Sequence, residues 1–94
     1  MNNRIPAVEK TILLMELLAK SPEGATQSEL KRELGISMST AYRILQTLLK
    51  HKWVRKNADG VYMPDNGLLP LLCRFRDSMD ILEQAQRVGL TDGE

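Results

Sequence analysis

Apolar positions along this chain recur first at a helical period and then, after residue 52, at a period of two. Pro6 suits the first turn of a helix, where its missing N–H is not needed, and residues 7–20 follow helical spacing. Val8, Ile12, Met15 and Ala19 share one face, Leu13 and Leu17 lie nearly opposite, and Leu14 and Leu18 fall between. Only the sector of Glu9, Glu16 and Lys20 is polar. So wide an apolar arc asks for burial on more than one side. Either this helix is wrapped by its own domain, or part of its arc meets a second subunit. Ahead of it, residues 1–5 form a short polar lead that reads as a frayed end.

Ser21-Pro22-Glu23-Gly24 stops the first helix. Thr26-Gln27-Ser28-Glu29 then fits a capping box, with the Thr26 hydroxyl accepting from the Glu29 amide and the Glu29 carboxylate reaching back. The second helix runs through Leu30 to about Leu34, and Gly35 can supply the left-handed residue that ends it. Ile36 is the apolar pin of the turn, and Ser37 caps a third helix over residues 38–51. At 100° per residue, that helix puts Ala41, Ile44, Leu45 and Leu48 on one side and Ser39, Arg43, Gln46 and Lys50 on the other. Two helices joined by about three to four residues around a glycine make a helix-turn-helix, whose second helix enters the DNA major groove.

Next, Trp53-Val54-Arg55-Lys56 alternates, Asn57-Ala58-Asp59-Gly60 is rich in turn formers, and Val61-Tyr62-Met63 returns, which predicts a β-hairpin. Trp53 and Val61 have the bulk to cover the end of the helical core, leaving Arg55 or Lys56 outward on a wing with a basic tip. Pro64-Asp65-Asn66-Gly67 breaks the strand. A last helix is expected from about residue 69 to 87, since Pro70 is tolerated only near a helix start. Leu68, Leu72, Phe75, Met79 and Leu82 are spaced 4, 3, 4 and 3, the seam of a two-stranded coil. About two heptads are present where three or four are wanted, so the seam rests either on the chain's own first helix or on a second copy. Gly89 and Gly93 mark a loose end. The expected fold is mainly α: a winged helix-turn-helix over residues 1–67, with a three-helix core and a two-stranded hairpin wing. Residues 68–94 would supply a linker and dimerisation helix with a tail.

Charge sharpens this picture. The 94-residue chain is long enough for one domain and has a formal charge of only +1. Residues 35–58, however, contain Arg43, Lys50, Lys52, Arg55 and Lys56 and no acid, a local +5 that leaves −4 for the rest. Cys73 is the only cysteine, so no internal disulfide can form. No secretory signal or membrane-length apolar run is present, which points to a soluble, cytoplasmic protein with no membrane partner. With one His, one Cys and no glycine-rich phosphate loop, the sequence offers no metal cluster, no cofactor site and no nucleophile–base pair, and so no enzyme. What remains is nucleic-acid chemistry. Arg43 can pair bidentately with guanine, a contact worth about 1–3 kcal/mol of discrimination; otherwise it holds a phosphate or is a solvated charge. Ser39 and Thr40 can donate to a phosphate from the helix N-terminus, or simply cap it. Tyr42, at the border of the two faces, packs a thymine methyl or shields the helix edge. Gln46 suits an adenine or a phosphate. Lys50, Lys52, Arg55 and Lys56 suit phosphates, each adding about 0.9 to the salt-dependence slope. His51 reads as a polar residue at the helix C-terminus.

Ala7-Val8-Glu9-Lys10, Ile12-Leu13-Leu14-Met15-Glu16-Leu17-Leu18, Ser28-Glu29-Leu30, Leu34-Gly35-Ile36, the run from Ser39-Thr40-Ala41-Tyr42-Arg43 through Ile44-Leu45-Gln46-Thr47-Leu48, and Trp53-Val54 together resemble the N-terminal DNA-binding domain of IclR-type bacterial transcription regulators. The resemblance covers residues 6–72 well and the following helix loosely. It implies a sequence-specific regulator, repressor or activator, that binds double-stranded promoter DNA as a homodimer on a roughly palindromic operator. It also implies a linking helix that leads to a larger C-terminal domain sensing a small-molecule effector. By motif, Ser39, Thr40, Tyr42 and Arg43 fall on the family's recognition helix and Arg55 and Lys56 on its wing. The sensing domain is not among these residues, and residues 90–94 stand where it would begin. The chain is therefore read as part of a longer regulator, with a naturally short chain as the alternative. The rival function is a winged helix that serves only protein–protein interaction or assembly, because the fold alone does not guarantee DNA binding.

Overall fold

The computed structural model of this chain describes residues 3–79. Its elements run α1 (Pro6–Ala19), β1 (Ala25–Thr26), α2 (Gln27–Leu34), α3 (Met38–Lys50), β2 (Val54–Lys56), β3 (Val61–Pro64), a 3-10 turn (Asn66–Leu68) and α4 (Leu69–Ser78). Mostly helical, with a small antiparallel sheet in the order β1-β3-β2, this is a winged helix-turn-helix.

Local chemistry explains the helix ends. The Glu29 amide donates to Thr26 Oγ1 at 3.2 Å and the Thr26 amide to Glu29 Oε1 at 2.9 Å, so both halves of the capping box are made. Gly35 ends α2 in the left-handed region at φ 65°. The Ser37 hydroxyl accepts from the Thr40 amide at 3.1 Å and starts α3. The outer end of α2 is closed from another element, because Lys10 Nζ on α1 donates to the Leu34 carbonyl at 3.1 Å.

Leu14 and Leu18 from α1, Leu30 and Leu34 from α2, and Ile44, Leu45 and Leu48 from α3 meet in one core, which Val54 and Tyr62 close from the sheet. Burying one such aliphatic side chain contributes about 1.5–3 kcal/mol. Ile36 packs against this cluster from the turn, as expected of its pin. Of the arc on α1, Leu14 and Leu18 are buried and Met15 and Leu17 pack against the core from either side, while Val8 and Ile12 remain 52% and 54% exposed.

The structure refines four expectations. A third strand, β1, pairs Ala25 with Tyr62 and Thr26 with Val61, which makes β3 the central strand. Pro64 does not break β3 but ends it, opposite Val54, a position where a missing N–H is tolerated. On the hairpin Val54 and Tyr62 are buried, Trp53 is half-buried and packs against the core as expected, and Val61 is half-buried without joining that cluster. Register decides this: the side chain that faces the helices is set by the β2–β3 pairing and not by size. Finally, of the helix expected over residues 69–87, the described residues show 69–78, and residues 80–87 lie outside them. α4 stops at Ser78, whose hydroxyl donates back to the Arg74 carbonyl at 3.0 Å, and Met79 is extended at φ −152°. Asp77 and Ser78 are poor helix formers. Of the predicted seam, Leu68 lies in the 3-10 turn, Leu72 and Phe75 lie on α4, Met79 lies past its end, and Leu82 falls outside the described residues. Leu72 and Phe75 stay 52% and 48% exposed, so the described chain leaves that seam open.

Candidate nucleic-acid interface

α3 is amphipathic because Ala41, Ile44, Leu45 and Leu48 fall at successive helical returns and are all buried. Their burial turns the opposite face out, and Ser39, Tyr42, Arg43, Gln46 and Lys50 are all exposed. Ser39, Arg43, Gln46 and Lys50, spaced by three or four residues, form one continuous strip of donors and cations, with Tyr42 beside it. Tyr42 is 52% exposed, which places it on the open side of the border.

Thr40 departs from the strip. It is half-buried, and its hydroxyl accepts from the Ser37 hydroxyl at 2.9 Å, tying it into the helix cap. Thr40 and Arg43 also line a cleft of about 350 Å3 between α1 and α3, opposite Ala7, Val8 and Thr11. Arg43 therefore stands at the edge of the strip, between the cleft and the open face. Thr47, one turn on, lines the same cleft and donates to the Arg43 carbonyl at 2.9 Å. The sequence pattern did not show this, because it depends on how α1 crosses α3.

The wing carries its cations on β2. Arg55 and Lys56 are exposed, and Lys56 Nζ lies 5.8 Å from the centre of the Tyr62 ring, within cation–π range. The tip itself is not basic. Asn57 Oδ1 accepts from the amides of Asp59 and Val61 at 2.9 and 3.0 Å, and the turn so formed displays the acidic Asp59. Among the described residues none of Arg43, Lys50, Lys52, Arg55 and Lys56 is ion-paired, so the charge of this surface is not neutralised from within.

One residue outside the predicted set, Gln27, and the backbone of one inside it, Lys52, add detail that the sequence pattern did not show. Gln27 Nε2 donates to Met38 Sδ at 3.0 Å, linking the first residue of α2 to the first of α3. Its place inside the capping box was the only signal available. Lys52, expected only as a charge, has a left-handed backbone at φ 61°. Among the described residues there is no group of three or more metal-ligating side chains, and no helix is long and apolar enough to cross a membrane.

The sequence model of the IclR helix-turn-helix domain matches residues 7–58. Among solved structures, an IclR transcriptional regulator from Alicyclobacillus acidocaldarius is 26% identical with a TM-score of 0.77, over 89% of this chain and 34% of that one. The Agrobacterium tumefaciens repressor BlcR is 24% identical with a TM-score of 0.75, over 92% and 35%. The Thermotoga maritima IclR is 20% identical with a TM-score of 0.72, over 89% and 34%. The present chain thus spans about a third of the length of these structures. No match is found among curated proteins.

Proposed function

The chain belongs to the IclR helix-turn-helix family, and on that premise we propose that it is the DNA-reading part of a transcription regulator. It works in the cytoplasm as a homodimer on a roughly palindromic operator. The observation that carries this reading is the strip on α3: one face of a buried-backed helix holds Tyr42, Arg43, Gln46 and Lys50 exposed, beside the Arg55 and Lys56 cations of the wing. Arg43 is assigned to base reading, through two parallel donors to one guanine edge. Gln46 and Tyr42 contact bases beside it, Ser39 and Thr40 hold phosphate at the start of the helix, and Lys50, Lys52, Arg55 and Lys56 hold the backbone. Phosphate contacts set register, and base contacts set sequence.

Leu72 and Phe75 on α4 hold the second copy, joined by Met79 and Leu82 beyond the end of that helix. Two reading helices then enter successive major grooves about 34 Å apart. A small-molecule effector acts through a C-terminal domain.

Titration with a random-sequence duplex at low salt, followed by selection from a randomised duplex library, tests the proposal. The expected result is binding that weakens steeply with salt and enrichment of paired, inverted half-sites. A domain that ignores random duplex at low salt is instead a protein-interaction module, and the DNA reading fails.

A further inference from the structure

The joint between α3 and α4 is closed by backbone groups. Lys52, two residues past α3, is the one non-glycine residue with positive φ among those described. Its N–H returns to the Leu49 carbonyl and the Trp53 N–H to the Leu48 carbonyl, both at 3.0 Å, which fastens the turn to the end of the reading helix. The Lys52 carbonyl accepts from the Gly67 N–H at 2.7 Å, and the Trp53 carbonyl accepts from the Asp65 N–H at 2.9 Å. At Gly67 the approach is so close that a Cβ would overlap the carbonyl oxygens of His51 and Lys52. From Gly67 the chain passes through the 3-10 turn, where the Leu69 N–H bonds the Asn66 carbonyl, straight into α4 with Pro70 in its first turn. No free hinge separates the last turn of α3 from the first turn of α4.

We propose that Lys52 and Gly67 form a positioning clasp that fixes the direction in which α4 leaves the reading helix and, through it, the spacing of two half-sites. The half-site part rests on the paired-site reading above. The lever is long enough to matter. A helix rises about 1.5 Å per residue, so a tilt of roughly 15° moves its tenth residue by about 4 Å, close to one base-pair step of about 3.4 Å. Neither residue touches DNA in this role, and a side chain at position 67 acts only by levering the two backbones apart.

The native Cys73 on α4 and a Glu33→Cys substitution on the exposed side of α2 provide two spin-label sites in the full chain, diluted with unlabelled protein. Cys73 is the fifth residue of α4, so the Gly67→Ala variant should shift or broaden their separation by about 2 Å, half of the lever movement. Its selected half-site spacing should change by about one base pair or spread, while binding to random duplex at low salt stays as in the parent chain. An unchanged separation in the folded variant overturns the clasp whatever happens on DNA. A changed separation with an unchanged spacing overturns its role in recognition. If the parent chain selects only single half-sites, the paired-site reading fails, and the label separation still decides the clasp. Should Gly67→Ala not fold, amide exchange on the parent chain decides: Asp65 and Gly67 should be protected like the amides of α3, and exchange at open-loop rates sinks the proposal.

Discussion

Arg43 and Lys50 stand about two turns apart on the same face of α3, yet their loss should read out differently. Arg43→Ala should cost about 1–3 kcal/mol of discrimination at one base pair, roughly 5- to 150-fold, and relax the selected sequence there. Lys50→Ala should weaken all duplexes alike and lower the log–log salt slope by about 0.9. Competition titrations at two salt concentrations separate the two results. The glycines divide in the same way. Both Gly24 and Gly35 are left-handed, at φ 80° and 65°, but a Cβ at Gly35 meets open space whereas one at Gly24 would stand 2.5 Å from the Tyr62 carbonyl. Gly35→Ala should therefore cost only the backbone term, about 1–2 kcal/mol. Gly24→Ala should cost distinctly more by urea denaturation, because it also forces β3 away from the loop. Equal losses would mean that the contact at Tyr62 relaxes freely. The left-handed state of Gly35 was legible in the sequence, since a glycine after Leu34 ends a helix in a known way. The close approach at Gly24 was not, because its partner lies 38 residues on and is brought there only by the sheet.

Among the elements, α2 and α3 were readable nearly to the residue because their ends are written in local side-chain chemistry: Thr26 with Glu29, Gly35, and Ser37. β1 was not readable, because two residues carry no periodicity. The buried side of the hairpin was read only in part: Trp53 does pack against the core, but the fully buried pair is Val54 and Tyr62, which the register brings to the same face. The end of α4 at Ser78 follows two poor helix formers, Asp77 and Ser78, which an apolar spacing of 4 and 3 does not register. Within α3 the core side is unambiguous. Leu45 is fully buried, so Leu45→Ala should cost about 2–5 kcal/mol. It should lower the urea midpoint and weaken DNA binding only in proportion to the unfolded fraction. A Leu45→Ala chain that stays fully folded but no longer binds would mean that the two faces of α3 are not independent.

At the scale of the whole molecule, the apolar surfaces open among the described residues include Val8 with Ile12 on α1 and Leu72 with Phe75 on α4. If α4 carries the second copy, a chain with both Leu72→Glu and Phe75→Glu should sediment as a lighter species at the same concentration. Its urea midpoint in the monomeric state should be unchanged, because neither side chain belongs to the core. Unaltered sedimentation moves the assembly to α1 or to another part of the regulator. One feature of the sheet also bears on how this molecule is made. β3 lies in the middle, so β1 waits for a partner that is translated much later. At about 5–20 residues per second, roughly 2–7 s separate the synthesis of Thr26 from that of Tyr62. Only after Lys50, for about 0.6–2.4 s of that interval, are all three helices synthesised with one wall of their core still missing. A chain cut at residue 58, the boundary of the family match, would hold the nascent protein at that stage, with every residue of the reading helix present and Leu45 still lacking the tyrosine that closes its cluster.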